Sequence, residues 1–164
     1  MNTASKHNRG IGLFCAILLF TTFALSGCSR ISLVADYDST TYEEIIRIAK
    51  EVDRFYGVLL EQDESERAYQ PYSAAYVEIE TDIRSLYIRN KSRPLNEEST
   101  QISQSMLDLW IKYKKRHKEK ETYKTGNATL DRNRFVRLFI AAASAEDVKN
   151  LKTGDTDPTM ESVE

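Results

Sequence analysis

Catalysis, metal binding and nucleophilic attack need histidines, thiols, carboxylates or clustered cations at particular spacings. Beyond residue 28 the chain has one histidine, His117. It lies within Lys114-Lys115-Arg116-His117-Lys118-Glu119-Lys120, which predicts a solvated, basic helix end. A Ser-His-Asp relay needs its histidine buried beside an acid and a serine, so this setting argues against one. Helical bundles that hold two metals use Glu-x-x-His pairs; three residues before His117 stands Lys114. Glu78, Glu80 and Asp82 are two apart, which turns neighbours to different sides of a helix. Glu61, Asp63, Glu64 and Glu66 lack the central glycine and ligand order of a calcium loop. The later glycines, Gly57, Gly126 and Gly154, are too scattered for a phosphate-binding loop. The expectation is therefore a non-enzyme with no catalytic residue, no metal and no cofactor.

Two surface features remain. Lys112, Lys114, Lys115, Arg116, Lys118 and Lys120 form a dense basic run. One account is cations complementing the dipole at a helix C-terminus. The other is a patch for anionic partners: lipid head groups, lipopolysaccharide phosphates or an acidic protein face. All 9 tyrosines also lie beyond residue 28. Tyr42, Tyr56, Tyr72, Tyr76 and Tyr113 fall on apolar seams, and a tyrosine in a core needs a partner for its hydroxyl. Either the rings line seam edges with wet hydroxyls, or they form a semi-polar groove for a lipid or peptide. An enclosed pocket of Tyr56, Tyr72 and Tyr113 would favour the groove.

The elements that position these residues read as helices. Thr40 and Glu43 make a capping box ahead of Tyr42, Ile45, Ala49, Val52, Tyr56 and Leu59, an alternation of threes and fours. Glu61–Glu66 is an apolar-free break. Pro71 suits a first helical turn and leads Tyr72, Tyr76, Ile79, Ile83 and Leu86, with Glu80 and Arg84 as an i,i+4 ion pair. Pro94 ends that helix. A third helix runs from about Asn96 to Tyr123, with Ile102, Met106, Leu109 and Tyr113 inward, Trp110 beside them, and the stripe fading into the basic run. Gly126-Asn127 signals a turn. A fourth helix spans about Asp131 to Lys152, capped by Asp131. Residues 153–164 predict a disordered acidic tail. No strand-like alternation occurs. The fold expected is all-α, an antiparallel bundle of about four helices over residues 40–152.

The first thirty residues differ from the rest. Lys6 and Arg9 precede an apolar stretch from Ile11 to Leu25, the length of a signal-peptide core and short of the roughly 20 residues a membrane span needs. Leu25-Ser26-Gly27-Cys28 closes it and resembles the lipobox of bacterial lipoproteins. The resemblance implies cleavage before Cys28, lipid on the Cys28 thiol and acylation of its amino group. Two or three acyl chains hold stably where one holds marginally. It also implies, from Ser29 rather than Asp after the cysteine, the periplasmic face of a Gram-negative outer membrane. Beyond this signature the chain is similar in build to small helical envelope lipoproteins.

Cleavage after residue 27 of 164 would leave 137 residues, one domain's worth. The leader holds Lys6 and Arg9 and no acid, so 21 basic and 25 acidic residues would remain of 23 and 25. That balance argues against nucleic acid as the main partner. Cys15 would be lost and Cys28 modified, leaving no thiol or disulfide. Residues 28–39 would form a short tether, with Ile31, Leu33, Val34 and Ala35 apolar enough to dock on the body. The function expected is an envelope-anchored accessory or interaction subunit; the alternative is a lipid- or peptide-binding bundle.

Overall fold

The computed structural model of the chain describes residues 34–154, with side chains as far as residue 150. The leader, Cys28, Ile31, Leu33 and residues 155–164 lie outside that range. Four α-helices follow in order: α1 Ser39–Glu61, α2 Ser73–Ser92, α3 Glu97–Lys120 and α4 Thr125–Gly154, with 3-10 turns at Glu64–Glu66 and Gln70–Tyr72 between the first two. Each helix packs on the next, and α4 closes back on α1. The result is an all-α, up-and-down four-helix bundle, and no strand occurs among the described residues.

α1 starts at Ser39, not from a Thr40 cap. Asp38 is the cap: its carboxylate accepts from the Thr40 N–H at 3.1 Å and the Thr41 hydroxyl at 2.6 Å. A carboxylate at that position satisfies orphan N–H groups as well as a threonine does. Ile45, Ile48, Val52, Phe55, Tyr56 and Leu59 are buried, while Tyr42 and Ala49 sit half-buried at the seam's edge. α2 buries Tyr76, Ile79, Ile83 and Leu86, the seam its spacing predicts, although Pro71 lies in the preceding 3-10 turn.

α3 presents a face rotated from the predicted one. Ser99, Ser103, Met106, Leu107, Trp110, Tyr113 and His117 are buried, and Ile102 and Leu109 are half-buried. The stripe continues to His117 because serine and histidine occupy core positions that a count of apolar residues skips. α3 ends at Glu121, whose left-handed φ of 49° turns the chain and lets its N–H bond the His117 carbonyl at 2.9 Å.

α4 begins at Thr125, so Gly126-Asn127 is a first helical turn and Asp131 is not a cap. Glu64 supplies the missing cap from the α1–α2 connection, its carboxylate accepting from the Thr125 N–H at 2.7 Å. A capping group 61 positions away leaves no local signature.

The core between the helices is aromatic. Trp110 is fully buried, with Phe55, Tyr76 and Phe135 rings at 5.2, 5.2 and 5.5 Å, and its indole N–H donates to the Tyr76 carbonyl at 3.0 Å. Edge-on contacts of this kind add to the area the rings bury.

Candidate functional site

Polar groups collect at the two ends of this core. At the end away from residue 34, His117 is 1% exposed. Its Nδ1 lies 3.1 Å from the Tyr76 hydroxyl and its Nε2 2.8 Å from the Arg67 carbonyl. The carbonyl can only accept, so Nε2 carries the proton and Nδ1 takes the Tyr76 hydroxyl's. Burial holds the His117 pKa below its usual value. The predicted solvated histidine is thus a neutral core residue. The sequence placed it among lysines, but a helix turns one residue in three or four inward whatever its neighbours are. No serine or carboxylate touches the ring, so it has no relay geometry.

Arg67, which sequence reasoning passed over, is buried too. Its guanidinium donates to the Leu60, Gln62 and Tyr123 carbonyls and to the Thr125 hydroxyl, at 2.6–3.3 Å. It closes the C-terminus of α1, where cations complement the dipole. Beside it Tyr123 donates to Asp131 at 2.7 Å and receives Arg116 at 2.9 Å. Asp131 also pairs with Arg116 and, at 3.3 Å, with Arg134, which donates to the Tyr113 hydroxyl at 2.9 Å.

These contacts engage the hydroxyls of Tyr76, Tyr113 and Tyr123. Tyr56, Tyr76 and Tyr113 are buried rings, and Tyr42 is peripheral. Tyr56, Tyr72 and Tyr113 enclose no pocket; only Tyr72 borders an open groove, of about 680 Å³, between α1 and α2. Burial pushes the Tyr56, Tyr76 and Tyr123 hydroxyls up in pKa, so they stay protonated as hydrogen-bonding groups at neutral pH.

The basic run is divided. Arg116 turns inward to Asp131 and Tyr123. Lys114 pairs with Glu80 at 3.1 Å and Lys115 reaches Glu119 at 3.8 Å. Lys112, Lys118 and Lys120 remain on the exposed surface, with the Lys118 ammonium 5.9 Å from the Tyr69 ring centre. Arg116 and Lys114 thus face partners on neighbouring helices, whereas Lys115, paired only at 3.8 Å, stays exposed with the other three. The acids of α2 also part company. Glu80 bonds Arg84 at 2.8 Å and Lys114, Glu78 borders the α1–α2 groove, and Asp82 shares Arg47 with Glu51. Burial and the adjacent Asp82 raise the Glu51 pKa, whereas Arg47 lowers that of Asp82. Among the described residues no group of three or more His, Cys, Asp or Glu side chains is placed to hold a metal.

The other end of the bundle receives the arm, residues 34–38. Glu146 of α4 is fully buried, its two oxygens accepting from the Asp38 N–H at 2.9 Å, from Arg93 at 3.0 and 3.2 Å, and from Lys149 at 2.6 Å. Burial pushes its carboxyl up, but bonds from Arg93 and Lys149 outweigh that and hold it below its usual pKa. Lys149 completes its bonding with Asn96 Oδ1 at 2.6 Å and Ser99 Oγ at 3.0 Å. Arg93 also donates to the Asp36 carbonyl, and the Ala35 N–H to the Leu95 carbonyl at 2.9 Å. Leu95 adopts φ 58°, a left-handed conformation that costs a leucine energy and persists only when held by its surroundings. The arm is thus latched on by an ion cluster built from α4, the α2–α3 turn and the start of α3.

No described helix is long and apolar enough to cross a membrane. Comparison with family models, with curated proteins and with solved structures gives no match to this chain.

Proposed function

We propose that this chain is the precursor of a bacterial lipoprotein, anchored through lipid on Cys28, whose helical body serves as a non-enzymatic accessory or interaction subunit of the cell envelope. The observation that carries the reading is Leu25-Ser26-Gly27-Cys28 at the close of the apolar stretch Ile11–Leu25, behind Lys6 and Arg9. The latched arm supports it. Only residues 29–33 separate Cys28 from the bundle, a reach of about 20 Å at most. Ser29 places the protein at the outer membrane under the family rule, and the partner is an envelope protein. A second reading, a lipid- or peptide-binding bundle, has one observation in its favour: the α1–α2 groove, floored by Phe55, Val58, Tyr72 and Ile79.

The test is metabolic labelling with a fatty acid in a Gram-negative host. The wild-type chain should carry label and sediment with membranes. Cys28→Ser should lose both while keeping its helical circular dichroism. A Cys28→Ser chain that still carries acyl label overturns the proposal.

A further inference from the structure

α4 has apolar or small residues on both of its faces. The inner face buries Phe135, Phe139 and Ala142 in the core. The outer face is a row at four-residue spacing, Val136, Ile140, Ser144 and Val148, and such a row lies along one side of a helix. Val136 is 42%, Ile140 61% and Val148 50% exposed. The bundle covers only the inner side of this helix, so these apolar side chains stay in solvent. An apolar groove of about 360 Å³ against α1 continues the surface past Ile46 and Ala143.

Positions on this face also pair up about one point of the helix. About residue 142, Val136 answers Val148, Arg137 answers Asp147, and Ile140 answers Ser144. Arg137 and Asp147 are exposed, and neither has an ion-pair partner among the described residues. We infer that a second copy of this chain docks here, its α4 lying antiparallel on the first across a two-fold axis level with residue 142. Each Ile140 then meets the small residues Ala141 and Ser144 of the other copy, which let the two backbones approach closely. Each Arg137 stands level with the other copy's Asp147, and the symmetry makes every such contact twice. Parallel packing would set Arg137 against Arg137 and Asp147 against Asp147, so the charges select the antiparallel arrangement.

The position of the axis has a consequence for the arms. Val34 borders a groove that includes Ala145 and Val148, three to six residues along α4 from the axis. At 1.5 Å per residue that is about 5–9 Å. Both arms therefore leave near the middle of the dimer, and the far ends of the two bundles extend outward. Two lipid anchors beside one leaflet follow where the lipoprotein reading holds, but the dimer does not depend on it.

Crosslinking in the intact cells that make the full chain tests this. A Ser144→Cys chain treated with a short bifunctional maleimide should give a covalent dimer well above the parental chain and above Ser85→Cys, an exposed site on α2. Adding Ile140→Glu, Arg137→Glu or Asp147→Arg singly should lower that product about tenfold, the scale of a reversed exposed charge pair made twice by symmetry. Combining Arg137→Glu with Asp147→Arg should restore it. All four positions are solvent-exposed, and equal chain levels and helicity check that the fold is kept. The inference fails if Ser144→Cys links no better than Ser85→Cys or links to a different protein. It fails equally if Ile140→Glu leaves the product unchanged, or if the double charge swap does not rescue the single ones.

Discussion

Acid should weaken this bundle through His117, and the size of the effect follows from where the ring sits. In the native state the ring is 1% exposed and neutral, with both nitrogens engaged, and burial holds its pKa below the ordinary 6.5. In the unfolded chain it titrates normally. Below pH 6.5 the unfolded state thus binds a proton that the native state refuses. Stability then rises with pH and falls on acidification, with a slope of at most about 1.4 kcal/mol per pH unit from this one group. Between pH 7.5 and 5.5 the loss comes to about 1.4 kcal/mol, provided the native ring stays neutral at the lower value. Carboxylates add their own pH dependence, so the informative quantity is a difference between variants. His117→Gln keeps an N–H donor for the Arg67 carbonyl but cannot titrate. Urea unfolding followed by the fluorescence of Trp110, the single tryptophan, gives both stabilities at each pH. His117→Gln should be less stable at pH 7.5, and its deficit should shrink by about 1.4 kcal/mol at pH 5.5. A deficit that stays constant across the range would refute the account, because it would mean the ring titrates alike in both states.

Two other outcomes follow from local geometry. Gly57 lies inside α1 with nothing within 4 Å of an added Cβ, so Gly57→Ala should raise the urea midpoint by the equivalent of about 0.5–1 kcal/mol. Glu146→Gln leaves Arg93 and Lys149 without their shared counter-charge at a buried site; it should cost about 3–5 kcal/mol, and hydrogen exchange at the Asp38 N–H should accelerate.

The fold was legible in the sequence where cores are apolar. The α2 seam is written in isoleucine, leucine and tyrosine at steps of three and four and is buried as its spacing predicts, while in α1 four of the six seam residues are buried and Tyr42 and Ala49 sit at the edge. The reading failed where polar residues do structural work. Ser99, Ser103 and His117 belong to the core stripe of α3, so a stripe defined by hydrophobicity appears to stop early and rotated. The start of α4 was misplaced because its cap, Glu64, comes from another connection, and because Gly126-Asn127 lies in a helical first turn. Arg67 and Glu146 gave no signal at all. Each is one charged residue among many, and its burial depends on which carbonyls or cations the fold brings to it. Nor does a list of six cations show that Arg116 and Lys114 face partners on neighbouring helices.

The arrangement of the two ends bears on what those remaining cations can do. The arm joins the bundle where α3 begins, whereas Lys114–Lys120 lie at its far end. The 17 steps from Glu97 to Lys114 span about 26 Å of helix at 1.5 Å each. Charges at that distance are several screening lengths away at physiological salt, where the length is about 8 Å. If the chain is anchored as proposed, a bundle standing upright on that anchor gains nothing from the leaflet through Lys112, Lys118 or Lys120. On that same proposal they reach an anionic surface close to the anchor only if the helices lie along the membrane, a posture that the proposed antiparallel pair would permit. Otherwise they face whatever lies beyond the far end. The cations and the α4 face are thus coupled questions: if the chain is both lipid-anchored and paired as proposed, Ile140→Glu should also reduce any salt-sensitive attraction of the body to that membrane.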